Sequence, residues 1–524
     1  MITATMITRL RGAALAPYAV IAGALIAGAS YAWIMGEDAN WDWQNYHEYN
    51  VWAVINGRYG VDAIPAGFQT YFNPLVYFPW YYLRHFVPPP YGGLIMGAVH
   101  GLNLALIWRL SRVLLGHAAN PWCIGASLLL AAFGPMTLSE VGTSFSDILT
   151  ALPVVAGVTL ILTAAPARPA RALVLAGLLL GAAVGLKLTN VVFALGAAAA
   201  LLQSARPVLA LGCLALGGAF GAAATGGAWS LMLWREFGNP VFPLFGGVFP
   251  SPELQASILD RQFTPHGFLD ALAYPFYWLA GVPRSSEFYF RDARFAALLV
   301  AVPVVIAMRL RSTSAIFTRR DLQFLSFFAV SYAAWLGLFA IQRYAVALEL
   351  MCGPALVLLL MRIATGSGVA TVSGALPMRS SAAILALAVV TALWTRPGDW
   401  WRRPWSDPYK PQISERLQRP AVYVMLDKPL AYVAPLLPPR SRFYQLADIA
   451  LPIVPNGLFD RRIRAGLKDP LPGGIWELHL RGKAFRKQLL DGYGLAIDTS
   501  QSCAEIEGVV PASAIEACPL TTSD

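Results

Sequence analysis

Eleven apolar runs recur along this chain, at residues 13–35, 91–110, 122–138, 148–162, 172–186, 190–202, 208–233, 295–308, 322–341, 345–360 and 382–394. A hydrocarbon core about 30 Å thick takes roughly 20 apolar residues per helix, and fewer where protein covers the backbone. The runs predict an all-α polytopic membrane protein with about eleven transmembrane helices. Charged residues are 13% of the 524 positions and hydrophobic ones 57%. Soluble domains carry roughly 25% charged residues, so a soluble globular enzyme is excluded. An aromatic content of 12% excludes disorder.

The formal net charge of +10 does not point to nucleic acid, because Lys and Arg are parcelled out between apolar runs and do not cluster on one face. One alternate set of connections carries Arg112, Arg168, Arg171, Arg206, Arg309, Arg311, Arg319, Arg320, Arg362 and Arg379. The opposite set carries Glu37, Asp38, Asp42, Glu48, Glu140, Asp147, Glu236, Asp260 and Asp270. Short cytoplasmic loops are enriched in Lys and Arg, so the chain reads as a multi-pass protein of a bacterial inner membrane with a cytoplasmic N-terminus. The first run, behind Arg9 and Arg11, reads as a signal anchor; it exceeds the roughly 7 to 15 residues of a cleaved signal's apolar region, for which Ala27 and Ala29 are the alternative sites.

Two outer connections, 36–90 and 234–294, are too long to be simple turns. Their Trp, Tyr, Phe and Pro suit interfacial segments, at 71–86 and 268–279. The predicted division is a membrane domain over 1–395 and a small soluble α/β domain over 396–524, with strand-like stretches at 421–426 and 476–480. An odd number of crossings puts that domain in the oxidising periplasm, where Cys503 and Cys518 are expected to pair. Cys123, Cys213 and Cys352 sit inside apolar runs as fillers.

The segment GEDANWDWQNYHEYN, 36–50, concentrates carboxylates, a histidine and aromatics where the first crossing ends. Charges beside lipid are costly without a role, and a carboxylate there can deprotonate a hydroxyl; the alternative is a solvated loop with anchoring aromatics. Lys187 interrupts apolar sequence and suits either an anionic partner or snorkelling to the interface. Asp147, in GTSFSD, reads on its residues as a helix cap. No GxxxxGK[ST], HExxH or CxxC pattern is present, and six scattered histidines offer no protein metal cage, although a divalent cation bridging Asp42 and a phosphate stays open.

The segments NWDWQNYHEYN, GRYG, FQTYFNPL, GTSFSD, GLKLTN, FGNPVFPLF and QRYAVALEL, taken with this topology, resemble the GT-C superfamily of membrane glycosyltransferases over nearly the whole chain. The resemblance implies a polyprenyl-phosphate-linked sugar as donor and a glycan, lipid or protein as acceptor. It implies Asp42 as the catalytic base, with Asp38, one helical turn nearer the membrane, as rival, and His47 orienting the base or the acceptor. Arg343, Lys187 and Arg58 are the expected donor-phosphate ligands. Asp147, Asn45, Tyr46 and Glu349 are the expected substrate ligands, with a structural ion pair as the alternative for Glu349. Two other functions compete. An O-antigen ligase or polymerase would use the Arg and His of one outer loop, here Arg235, Arg261, His266, Arg284, Arg291 and Arg294. A transporter or flippase would show matched broken helices in both halves, and only the break at Lys187 is visible.

Overall fold

The computed structural model describes residues 4–116, 120–165, 168–254, 261–311, 316–365, 376–405, 411–448, 450–469, 471–483, 487–507 and 515–522, with side chains from residue 15 onward. Arg9, Arg11 and Asp260 therefore lie outside the described side chains. Helices occupy most of each apolar run among these residues, but 122–138 is broken at Phe133 and Gly134 into Pro121–Ala132 and Pro135–Glu140, and 322–341 runs beyond the helix end at Leu338. Six helices, Leu15–Met35, Tyr91–Leu115, Ser146–Thr163, Pro207–Phe237, Arg319–Leu338 and Gln342–Thr365, are long and apolar enough to cross a membrane. Four more, Pro121–Ala132, Ala170–Leu186, Leu188–Leu201 and Met378–Trp394, are apolar but shorter. The remaining run, 295–308, lies in Arg294–Arg311, which carries arginines at both ends.

The chain divides into two compact units. The first comprises Met1–Ile34, Gly93–Gly226 and Asp260–Trp400, and holds most of the apolar helices. Its centre is the helix Val346–Thr365, which packs on Pro121–Ala132, Ser146–Thr163 and Arg294–Arg311. A buried ion group ties that centre together. The Arg294 guanidinium lies 2.6 Å from Asp292 and 3.6 Å from Glu349, and it also donates to the carbonyls of Leu130 and Glu349. Glu349 in turn accepts from the backbone N–H groups of Met136 and Thr137, where the short helix Pro135–Glu140 begins. Elsewhere small residues let backbones meet, as membrane helices commonly arrange. Gly181 of Ala170–Leu186 faces Gly218 of Pro207–Ala222 so closely that a Cβ on Gly181 would overlap the Gly218 carbonyl.

The second unit comprises Met35–Gly92, Gly227–Leu259 and Trp401–Asp524. Its strands are β1 (Glu37–Asp38), β2 (Arg402–Arg403), β3 (Gln412–Ile413), β4 (Val422–Met425), β5 (Arg442–Gln445), β6 (Ile475–Leu480), β7 (Leu495–Ile497), β8 (Ala504–Glu507) and β9 (Ile515–Thr522). The first two form an antiparallel pair. The others make one mixed sheet ordered β3-β8-β9-β6-β4-β5, with β7 also on β9 and only β4 parallel to its neighbours β5 and β6. The strand-like stretches at 421–426 and 476–480 are thus adjacent strands. The core under this sheet draws on all three stretches: Ala63, Ile64 and Tyr71 from the first, Leu233, Phe237 and Phe242 from the second, and Val422, Val424, Phe459 and Ile463 from the third. The two outer connections thus share a core with the third stretch, which supplies the larger part of it.

Candidate functional site

In the second unit the acidic segment opens with β1, not with a helix, because Glu37 and Asp38 pair in register with Arg403 and Arg402. Asp38 is therefore not one helical turn from Asp42, as the sequence suggested; the helical segment starts only after Asn40, whose side chain accepts from the Trp43 N–H at 2.8 Å. From Trp43 to His47 the helix widens to a π-helical turn, and such turns recur at functional sites. Four carboxylates lie in this segment and their surroundings differ. Glu37 meets Arg403 at 2.7 Å and Arg84 at 3.6 Å. Asp38 is fully buried, and both its oxygens accept from the Asn40 amide, at 2.8 and 2.9 Å. Glu48 meets His85 Nε2 at 2.5 Å and the Trp43 indole N–H at 3.1 Å. Asp42 accepts a longer bond, 3.3 Å, from the Tyr46 hydroxyl.

Aromatic rings wall this segment. His47 stacks on Tyr77 with centroids 4.0 Å apart, and Tyr46 meets both rings edge-on. Arg84 lies over the Trp43 ring at 3.8 Å. Glu37, Asp38 and Glu48 already take protein donors. Arg84, His85 and Arg403 were invisible to sequence reasoning because they are distant in the chain from the carboxylates they hold.

In the first unit a second charged group sits at the start of helix Ser146–Thr163. Lys187 breaks the helix before it, its backbone extended at φ −149° and ψ 112°, and its Nζ donates to both Asp147 oxygens at 2.7 Å. The cation also lies 4.6 Å from the Tyr344 ring. Arg343 lies over the rings of Phe145, Tyr344 and Trp400, at 5.3, 5.3 and 5.5 Å. Glu140 completes the group. It is fully buried and caps the helix by accepting from the Ile148 N–H at 3.0 Å, while its other oxygen has no partner among the described residues. The helix-cap alternative for Asp147 is therefore corrected: Glu140 does the capping and Asp147 holds Lys187.

Burial, reinforced by the neighbouring Asp147, pushes the Glu140 carboxyl well above the usual carboxylate range, against the pull of Lys187 and Arg343. The group thus sets the acids Glu140 and Asp147 beside the cations Lys187 and Arg343.

Three expected ligands serve the fold instead. Arg58 grips Asp62 at 2.6 Å, donates to the Ser441 carbonyl, and lies over Trp52 and Phe443. Asn45 donates to Gln69 at 2.6 Å and to the Ala66 carbonyl. Glu349 belongs with Arg294, the ion-pair alternative. The ligase-type loop also loses members, since Arg294 is fully buried and Arg284 pairs with Asp270 at 2.7 Å. Cys503 and Cys518 are joined in a disulfide, and Cys123 and Cys352 are buried free thiols.

No family model matches the chain, and no curated protein matches it. Among solved structures it is similar to the arabinosyltransferase EmbB from Mycobacterium smegmatis, at 14% identity and a TM-score of 0.39. That likeness covers 72% of this chain and 37% of the EmbB chain.

Proposed function

We propose that this chain is a membrane glycosyltransferase of GT-C type, crossing a bacterial inner membrane about eleven times. It would move a sugar from a polyprenyl-phosphate donor to a glycan, lipid or protein acceptor on the periplasmic face, with residues 396–524 outside. The observation that carries this reading is the group formed by Glu140, Asp147, Lys187 and Arg343, in which both cations lie beside the Tyr344 ring, at 4.6 and 5.3 Å, near the start of an apolar helix. A lipid-linked phosphate is an anion that suits such a group beside apolar helices. Arg343 offers a fork to two phosphate oxygens and Lys187 a point charge, while Asp147 holds Lys187 in place.

Asp42 is assigned as the base. As the acceptor hydroxyl attacks the anomeric carbon, its proton passes to the Asp42 carboxylate, and the bond to the lipid phosphate breaks with its electrons on phosphate, which needs no acid. Asp38 is the poorer candidate, because protonating it breaks a buried two-point clasp with Asn40. Tyr46 orients the base through its hydroxyl bond, and His47 packs edge-on against Tyr46.

Purified protein incubated with synthetic prenyl-phosphate sugars tests the reading. Consumption of one donor is expected, with Asp42→Asn slowing turnover by about 10²- to 10⁴-fold, the usual span for a lost general base. Arg343→Ala and Lys187→Ala are expected to raise the KM for donor more than they lower kcat. If no donor is consumed or bound, a transporter becomes the better reading. Full turnover by Asp42→Asn would move the base to Asp38.

A further inference from the structure

The sheet of the second unit carries a polar cluster that the transfer reaction does not use. In the antiparallel register of β6 on β9, Glu477 lies opposite Cys518 and His479 opposite Glu516. Side chains two apart on a strand share a face, so these four project together. One oxygen of Glu477 meets His479 Nδ1 at 2.7 Å, and His479 Nε2 meets Glu516 at 3.1 Å. Glu477 is fully buried, and its other oxygen has no hydrogen-bond partner among the described residues. Ligand atoms of Glu477, His479 and Cys518 all lie within 4.8 Å of one another. The Cys518 sulfur is tied to Cys503.

We propose that Glu477, His479 and Cys518 form a zinc site that opens when the Cys503–Cys518 disulfide is reduced. The donor set is one carboxylate oxygen, one imidazole nitrogen and one thiolate, all ligand types that zinc takes. His479 is held at both ring nitrogens, Nε2 by Glu516 and Nδ1 by Glu477. Loss of the Nδ1 proton would free that lone pair for a metal, with Glu516 as the carboxylate that orients the ligating imidazole. Zinc would replace the proton shared by Glu477 and His479, and it would give the unpartnered Glu477 oxygen a partner.

The redox step balances with a dithiol as reductant. One of its thiolates attacks the sulfur of Cys503, the exposed member of the pair, and Cys518 leaves as thiolate. The second thiol of the reductant then resolves the mixed disulfide, so two electrons and two protons pass to the protein and the reductant ends as its own disulfide. Zinc binding holds Cys518 in the thiolate form. Cys503 supplies the fourth ligand or leaves that position to water.

The test compares zinc content of the full-length protein in detergent, oxidised and after reduction with a phosphine that does not bind zinc. Cys123, Cys213 and Cys352 are free in both forms, so the difference reports on the disulfide alone. Equimolar zinc in the reduced form and little in the oxidised form is expected, with loss of binding in Glu477→Gln and His479→Ala. Cys503→Ser, which leaves Cys518 a free thiol, should take up zinc without reductant. Cobalt in place of zinc should give a thiolate charge-transfer band that Cys518→Ser lacks. The proposal is overturned if the reduced wild type takes up no zinc, if both redox forms bind it equally, or if His479→Ala retains the full amount; the first two outcomes need no variant to fold.

Discussion

Single residues here are read most reliably through the charge they face. Arg294 has its guanidinium fully buried between Asp292 and Glu349, and removing one partner of such a group strands the others without water. Arg294→Ala is expected to cost about 3–5 kcal/mol, measured as a fall in the unfolding midpoint in detergent. His479 allows a prediction with a sign. Its hydrogen bond to Glu477, and then the charges of Glu477 and Glu516, hold its pKa above the ordinary value against the opposing effect of burial. The stability it contributes is whole below about pH 6.5 and is lost as pH rises through the raised folded-state value. Burial also raises Glu477, helped by Asp427 and Glu516 and opposed by His479, so the pair works in one direction, with Arg481 beside Glu516 as the nearby cation. Thermal melts should show a falling midpoint above neutral pH, flattened by His479→Gln; an unchanged slope in that variant would remove His479 as the cause.

At the scale of elements, periodicity and hydropathy located helices well but said little about how closely they approach. The contact between Ala170–Leu186 and Pro207–Ala222 depends on glycines at the crossing, so Gly181→Leu is expected to cost about 1–3 kcal/mol or more through forced separation. Gly212→Leu, on the same helix pair but facing open space, should leave the midpoint unchanged. Equal effects from the two substitutions would mean that helix propensity, not backbone approach, is being measured. The break at Lys187 was legible because a cation interrupts apolar sequence; its partner Asp147 was legible only as an acid near a helix start, since pairing across a distance of 40 residues leaves no local trace.

For the molecule as a whole, the second unit is assembled from three separated stretches around one core. Residues 396–524 produced alone would lack Ala63, Ile64, Tyr71, Leu233, Phe237 and Phe242, and would also lose the bridge from Ala63 to Tyr444. The isolated tail is expected to lack a cooperative melt by circular dichroism, despite a disulfide worth about 3 kcal/mol in the chain-entropy model. A cooperative melt from that fragment would mean that its own strands suffice.

Composition and the spacing of apolar runs were enough to specify a helical membrane protein, because burial in lipid imposes length and apolarity on each helix locally. They also marked the acidic segment after the first apolar helix and the lysine inside apolar sequence, since charge flanked by apolar residues is conspicuous in one dimension. Tertiary structure alone decided which charges balance which: Glu37 with Arg403, Glu48 with His85, Asp147 with Lys187, Glu349 with Arg294. It also decided that Glu140 would cap a helix and that Asp38 would lie in a strand. Pairing energies depend on separation through space, and a folded chain sets that separation by packing elements whose order in sequence carries no record of it.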